Sequence, residues 1–453
     1  MIASLGAFPG RFAARPLAAI TCAAALLAGG RPADASTLLR RGDADANAAL
    51  ELTDGIRILD YLFLGAEPLP CQDAGDADDS AALDISDPIY IFQYLFLGGP
   101  PPVAPFPDCG GDTTPDDLGC DRFPPCADEF AGVVQSFGII DTLAGSGLTQ
   151  NDNGWKPEFE GKPAIEAELS APHISLGDAA GNIYIADKEA HAIRKVSPDG
   201  TIHTVAGTGS PGDGPDTPGP GVERALRDPN GLWVLADGTL YILDTDNEKV
   251  RKLTPAGILS TFLELPGLRT GRGLWVADDE SAAFVTSQDR LVRWTREGGL
   301  EILAAGFAEL GNIYVERSGS VLVTDRLLHQ VSRVTPDGLT TPVAGNRTTT
   351  GGGDGRPALE TGLDQVRGVW VHEETGGFFL ATQRGSQVWY VDTAGIIHLF
   401  LDGMSGVHAG DGEPFDAPGP KVSEIRSVTM DRRGNLLVTE NDFGFVRIVF
   451  RKP

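Results

Sequence analysis

Ile174-Ser-Leu-Gly-Asp-Ala-Ala-Gly-Asn-Ile-Tyr-Ile-Ala-Asp187, followed by Ala192-Ile-Arg-Lys-Val-Ser-Pro-Asp-Gly200-Thr-Ile-His-Thr-Val-Ala-Gly207, holds four short apolar runs separated by turn residues. Runs of this length, rich in β-branched residues and bounded by Gly, Pro and Asp, read as strands. The pattern recurs in Leu232-Trp-Val-Leu-Ala-Asp-Gly-Thr-Leu-Tyr-Ile-Leu-Asp244 and Val250-Arg-Lys-Leu-Thr-Pro-Ala-Gly257. The equivalent turn glycines, Gly200, Gly257, Gly298, Gly338 and Gly395, are spaced 57, 41, 40 and 57 apart. A base period near 40 with four strands per unit is the signature of a β-propeller blade. The two long intervals carry inserted Gly-rich loops, 207–225 and 345–362. The last copy, Val428-Thr-Met-Asp-Arg-Arg-Gly-Asn-Leu-Leu-Val-Thr-Glu440 to Val446-Arg-Ile-Val, stops at Pro453 without a fourth strand. Gly138-Ile-Ile-Asp-Thr-Leu-Ala-Gly145 matches Gly200–Gly207 at an offset of 62 and supplies it. Closing the ring in this way removes two exposed sheet edges. The expected fold is mainly β, a six-bladed β-propeller over residues 137–453, preceded by a small helical module.

The chain has 453 residues, 36 basic and 63 acidic side chains, and a formal charge of −27. Phosphates of nucleic acids and anionic membranes would repel such a surface, so neither is an expected partner. Residues 1–35 read as an export signal. Arg11 and Arg15 precede the apolar stretch from Pro16 to Ala28, and Ala33-Asp34-Ala35 has the form of a cleavage site. That stretch is shorter than the roughly 20 residues needed to span a bilayer. A secreted or cell-surface protein without a membrane span follows. Cys22 leaves with the signal, and Cys71, Cys109, Cys120 and Cys126 should form two disulfides, in any of three pairings.

Ahead of the propeller, Asp43-Ala-Asp-Ala-Asn-Ala-Ala-Leu-Glu-Leu-Thr-Asp54 and the helix to Gly65 align with Asp76-Ala-Asp-Asp-Ser-Ala-Ala-Leu-Asp-Ile-Ser-Asp87 and the helix to Gly98, 33 positions on. Positions 1, 3, 5, 7, 9 and 12 of the first loop offer Asp43, Asp45, Asn47, the carbonyl of Ala49, Glu51 and Asp54. The second loop offers Asp76, Asp78, Ser80, the carbonyl of Ala82, Asp84 and Asp87. Hard Ca²⁺ takes six to eight such oxygens at about 2.3–2.6 Å. Between Ser36 and Cys126, 17 acidic residues face four basic ones, a crowding that cations would relieve. Leu50 and Leu83 are placed to pair the loops through the core.

This duplicated loop–helix resembles the dockerin modules of secreted bacterial proteins, over about residues 40–100. The resemblance implies calcium-dependent docking onto a cohesin-like extracellular protein. Leu52, Thr53, Ile85 and Ser86 stand at the family's contact positions. Ala48 and Ala81 replace the family's glycine at the sharp turn, where a side chain strains the backbone. Residues 36–100 are expected to form the module and 101–136 a Pro- and Cys-rich spacer, with the natural cut near 127–136.

The phrases Tyr184-Ile-Ala-Asp and Ile193-Arg-Lys-Val resemble NHL-repeat propellers, across nearly all of 137–453. That resemblance implies the fold and leaves activity to be argued from sites. One enzyme of the family, the peptide-amidating lyase, holds a metal with three histidines. Pro172-His173 and Asp325-Arg-Leu-Leu-His329-Gln-Val match one of each type of its ligand. The second inner-strand histidine is replaced by Gly231, Gly273, Asn312, Gly368 and Ser427, and two imidazoles make a poor catalytic zinc site. His191 shares the turn position of His329 and reads as structural; His203 and His398 read as surface residues of outer strands, with His372 in a turn and His408 in a loop. No nucleophile elbow, zincin or phosphate-loop motif occurs, and no acid pair stands out for glycoside hydrolysis.

The residue that opens each inner strand is Pro172, Asn230, Arg272, Gly311, Arg367 and Arg426 in the six blades. Inner strands line the central channel. Arg272, Arg367 and Arg426, with Asn230 and His173, are therefore expected to ring one mouth of it. Such a ring suits an anionic or carboxylate-bearing ligand, unless each arginine is already paired with a loop carboxylate. The favoured reading is a non-catalytic binding or scaffolding propeller, carried by a calcium-dependent module. The alternative is a secreted propeller enzyme, lyase-like or a carbohydrate-active hydrolase.

Overall fold

The computed structural model describes residues 38–452, apart from 48, 108, 113, 115, 117, 121–122, 124–125, 127–128, 148–153 and 268–270. Residues 1–35, expected to be an export signal, and Ala48 lie outside the described residues. The chain divides into two compact units, Met1–Ala127 and Asp128–Pro453.

The larger unit is the six-bladed propeller. Its inner strands are Pro172–Gly177, Pro229–Val234, Leu274–Val276, Leu310–Val315, Val366–Val371 and Ile425–Met430, each opening an antiparallel sheet. Each inner strand packs on the next, and Ile425–Met430 packs on Pro172–Gly177, so the ring closes. Phe137–Ala144 pairs antiparallel with Phe445–Arg451, Ile140 facing Val449, and completes the last blade from the other end of the array. The apolar runs meet between blades: Ile174, Tyr184 and Ile193 of the first pack against Leu232, Leu240 and Ile242 of the second.

The repeated aspartate has a backbone role. Asp187 accepts the N–H of Ser170 at 2.5 Å and Asp244 that of Arg227 at 2.7 Å, in each case the segment leading into an inner strand. Asp325 takes the N–H groups of Ala308 and Glu309 at 2.7 and 3.1 Å. A buried arginine neutralises the first two: Arg194 Nε lies 2.9 Å from Asp187, and Arg251 Nε 3.0 Å from Asp244. The Ile-Arg-Lys-Val phrase and its Val-Arg-Lys-Leu counterpart are thus the cationic half of a pair that pins these two blades to the chain entering them.

A helix, Glu129–Ser136, precedes the closing strand and belongs to the propeller unit, so the stretch expected as spacer ends earlier than 136. Its Glu129 carboxylate accepts from Thr393 Oγ1 at 2.6 Å, and Phe130 stacks on His398 with ring centroids 4.5 Å apart. His398 is therefore covered rather than at the surface, whereas the His203 side chain remains 47% exposed.

In the smaller unit, α1 (Leu52–Leu64), α2 (Gln72–Gly75) and α3 (Ser86–Leu97) surround a small core of Ala44, Ile58, Leu69, Ala77 and Ile91. Leu50 and Leu83 pack against that same core, as their loop positions required. The disulfides are Cys71–Cys120 and Cys109–Cys126, one of the three pairings the sequence left open. Residues 100–112 do not form an extended spacer. They fold back over the module because Arg41, only 1% exposed, needs partners there. Its N–H donates to the carbonyl of Pro105 at 2.7 Å, its Nε to that of Ala104 at 3.1 Å, and its Nη2 meets Asp112 at 2.7 Å.

Candidate functional site

The starts of the inner strands converge at one mouth of the channel, and Arg272, Arg367, Arg426 and His173 meet there. Arg272 Nη1 lies 3.4 Å from His173 Nδ1, and its Nη2 lies 3.4 Å from Glu309 Oε1. Glu309 is also held by Arg326, whose Nε is 3.0 Å from Oε1. Burial alone would raise the Glu309 carboxyl, but Arg326, Arg272 and Arg367 hold it below its usual range. Arg426 donates to the Asn441 side-chain oxygen, a neutral partner. Arg367 is 4% exposed, and its Nε and Nη1 have no hydrogen-bond partner among the described residues. Nε of Arg272 and of Arg426, and Oδ1 of buried Asn230, are likewise buried and unbonded.

The electrostatics follow from that geometry. Burial, then the charges of Arg272 and Arg426, work against the Arg367 cation. A guanidinium does not give up its proton in such a setting, so the charge stays and is left unneutralised. Burial and the surrounding cations Arg272, Arg426 and Arg367 keep His173 neutral, well below its ordinary pKa. The structure brings together Arg272, Arg367, Arg426 and His173, and Asn230 lies buried near the start of its inner strand. The reserve explanation, pairing with carboxylates, holds for Arg272 alone.

An apolar collar that includes Ile174, Leu232, Leu274, Ile313 and Val369 lies just beyond the arginines. Past it, the channel opens into a cavity of about 1100 Å³ at the other end of the inner strands. Trp233, Trp275, Tyr314 and Trp370 form much of its floor, with Trp233 centroids 6.1 and 6.2 Å from those of Trp275 and Trp370. This aromatic mouth was missed in the sequence. Its signal is the repeated apolar–aromatic pair Leu232-Trp233, Leu274-Trp275, Ile313-Tyr314 and Val369-Trp370.

His329 and His191 serve the backbone of the neighbouring blade. His329 Nδ1 accepts the N–H of Gln365 at 3.0 Å, and His191 Nδ1 that of Asp228 at 3.2 Å, the same interblade contact in two blades. Among the described residues, no group of three metal-capable side chains contains His173 or His329. His408 lies in the inserted loop where the sequence placed it, and meets Glu440 at 2.6 Å in such a group with Asp442.

In the smaller unit, Asp43, Asp45 and Asp54 offer oxygens within 4.8 Å of one another, and Asp76, Asp78 and Asp87 do the same. These are positions 1, 3 and 12 of each loop. Both position-12 carboxylates organise their loop: Asp54 accepts the N–H of Glu51 at 2.8 Å and of Asp45 at 3.2 Å, and Asp87 those of Asp84 and Ala77 at 2.8 Å. Asn47 and Glu51 bond each other at 3.0 Å on the exposed rim, and Asp84 turns to the N–H of Ser86 at 2.7 Å. Ser80 Oγ reaches the Ala82 carbonyl at 3.3 Å, and Ala49 N–H bonds Asn47 at 2.9 Å. All-oxygen sets with buried carboxylates fit a hard cation. A further trio, Asp73, Asp112 and Asp116, has the same spacing and lies outside both loops. Its members are too far apart in sequence to show as a motif.

No family model matches the chain. A curated relative, the chloroplastic protein SUPPRESSOR OF QUENCHING 1 of Arabidopsis thaliana, is 27% identical over 194 residues, 41% of this chain. The match covers only 16% of that relative's length. A structural genomics protein of unknown function from Bacteroides thetaiotaomicron is similar over 69% of this chain and 76% of its own, at a TM-score of 0.54 and 15% identity. An auxiliary nutrient binding protein from the same organism is similar over the same shares, at a TM-score of 0.52 and 13% identity. These structural likenesses agree with the propeller fold.

Proposed function

We propose that this chain is an exported ligand-binding propeller whose cationic channel mouth holds a small anion, carboxylate- or phosphate-bearing. The observation that carries the reading is Arg367: nearly fully buried, beside two further guanidinium groups, with donors left unbonded. Buried donors without acceptors are costly, and a bidentate carboxylate or phosphate would satisfy them. A binding role is also how one of the similar solved proteins is described. Isothermal titration of the chain with a panel of carboxylates and organic phosphates tests it. Binding should weaken at least about tenfold, 1.4 kcal/mol, when Arg272, Arg367 and Arg426 are all replaced by Ala. Equal binding by that variant removes the proposal.

The smaller unit, in this reading, tethers the propeller to an extracellular cohesin-like partner when its loops hold calcium. Supporting this is a duplicated apolar face. Leu52, Ile56, Phe63 and Leu64 are 46, 44, 64 and 76% exposed, and their counterparts Ile85, Ile89, Phe96 and Leu97 are 47, 47, 63 and 79% exposed. A monomer gains nothing by exposing two such matched faces, whereas a docking module does. Pull-down of an extracellular partner with residues 36–126 should be lost in EDTA; retention in EDTA counts against the tether.

A further inference from the structure

Asp73 lies on α2, two residues after Cys71, and is 7% exposed. Asp112 and Asp116 come from the chain that returns over the module just before Cys120, and the Cys71–Cys120 disulfide holds these two segments together. One carboxylate oxygen from each of the three lies within 4.8 Å of the others. Oδ1 of Asp73 and Oδ2 of Asp116 are shut off from solvent and accept no hydrogen bond among the described residues. Asp116 Oδ1 takes the N–H of Leu118 at 2.7 Å, and Asp112 Oδ1 takes that of Thr114 at 3.2 Å.

Arg41 is the cation placed against this cluster, and of the three carboxylates it pairs with Asp112 alone. Its Nη2 is shared between Asp112 at 2.7 Å and Asp79 at 2.8 Å. Its Nη1 donates to the backbone carbonyls of Asp73 and Asp76, at 3.3 and 2.8 Å. One positive charge thus pairs with Asp79 and Asp112 and acts on the Asp73 carboxylate only through space, against the charges of Asp116 and Asp112. Burial, then the charges of Asp116 and Asp112, raise the Asp73 carboxyl above its usual range, and Arg41 offsets this only in part. A carboxylate oxygen of buried Asp73 and one of Asp116, each without a hydrogen bond and beside like charge, are unfavourable.

The donors are all hard oxygens, without nitrogen or sulfur, which selects Ca²⁺ or Mg²⁺ over zinc. Calcium accepts irregular oxygen sets at about 2.3–2.6 Å, whereas magnesium demands a near-ideal octahedron near 2.1 Å and sheds water reluctantly. We propose that Asp73, Asp112 and Asp116 form a third calcium site, outside both acidic loops, in which the ion clamps the returning chain onto α2.

The test uses the full chain, stripped by chelation and then titrated with calcium, with bound metal counted by mass spectrometry. Asp73→Asn combined with Asp116→Asn should bind one calcium fewer than the parent. The fate of the loops is separate: if the loops are inert, the parent binds one ion and the double variant none. Asp116→Asn alone, remote from the helix, guards against misfolding; it should weaken one site at least tenfold. Without that ion, amide exchange in residues 110–120 should also lose its slowing by calcium. Equal stoichiometry and equal affinities in the parent and both variants overturn the site.

Discussion

Asp54 and Asp87 close the two acidic loops from fully buried positions. Burial first, and then the neighbouring carboxylates, push both up to about 7 from an ordinary 3.8. Without metal, the folded module therefore holds protons that the unfolded chain releases above about pH 4. That contribution is complete below the unfolded pKa and is lost as pH rises through 7. In EDTA the module should lose at least about 1 kcal/mol between pH 5 and pH 8, one pKa unit's worth. Amide exchange in α1 and α3 measures it, and saturating calcium, which takes the ionised form, should cancel the loss. A flat profile in EDTA would show that these carboxyls are not under such strain. Ala81, exposed and at φ 65°, is a second residue-scale test. A left-handed conformation costs an L-residue about 1–2 kcal/mol, partly offset by the freedom glycine adds to the unfolded chain. Ala81→Gly should then stabilise the calcium-loaded module by about 0.5 kcal/mol in urea unfolding. The positions of the loop acids and channel arginines were legible because each could be counted in aligned copies. Their partners were not: Glu309 reaches Arg272 from the following blade, and Asp73 meets Asp116 only after the chain turns back.

Strands could be read where they repeat. The closing strand, Phe137–Ala144, was visible because it copies Thr201–Ala206 and its flanking glycines, and its pairing with Phe445–Arg451 follows. Helix Glu129–Ser136 occurs once, and nothing periodic announces that Phe130 will cover His398. The fold-back of 100–112 is hidden for another reason: Pro-rich composition reads as extended chain, and only the buried charge of Arg41 draws it in. The repeated acids allow an element-scale comparison. At Asp187 the carboxylate faces Arg194, which is 1% exposed and also lies over the Trp155 ring at 3.6 Å. At Asp325 the matching cross-strand position is Ser332, so no buried cation depends on the charge. Asn keeps the acceptor for Ser170 at Asp187, whereas at Asp325 its single oxygen must give up either the Ala308 N–H or those of Glu309 and Leu328. Asp187→Asn should therefore destabilise the propeller by about 3 kcal/mol, by stranding a buried charge, and Asp325→Asn by about 1 kcal/mol. Equal losses in thermal unfolding would mean that the arginine pair contributes nothing beyond the backbone bonds.

At the scale of the whole molecule, the two units depend on different forces. The propeller closes its sheets on themselves and buries apolar clusters between its blades, so its stability is spread around a ring. The module's apolar core is a handful of residues, and three clusters of carboxylates crowd around it. A core that small needs staples, and here they are two disulfides and, in our reading, calcium, whose binding energy then becomes folding energy. Chelation should accordingly open one unit and spare the other. In EDTA, with the disulfides reduced so that they cannot hold the chain together, residues 40–100 should be cut rapidly by protease while 137–453 stays resistant. Asp43→Ala together with Asp76→Ala should reproduce that pattern in the presence of calcium, because each removes the first ligand of its loop. Added calcium should restore resistance to the parent but not to the variant. If EDTA leaves both units equally resistant under reducing conditions, the loops are a solvated acidic surface and the module stands on its core alone.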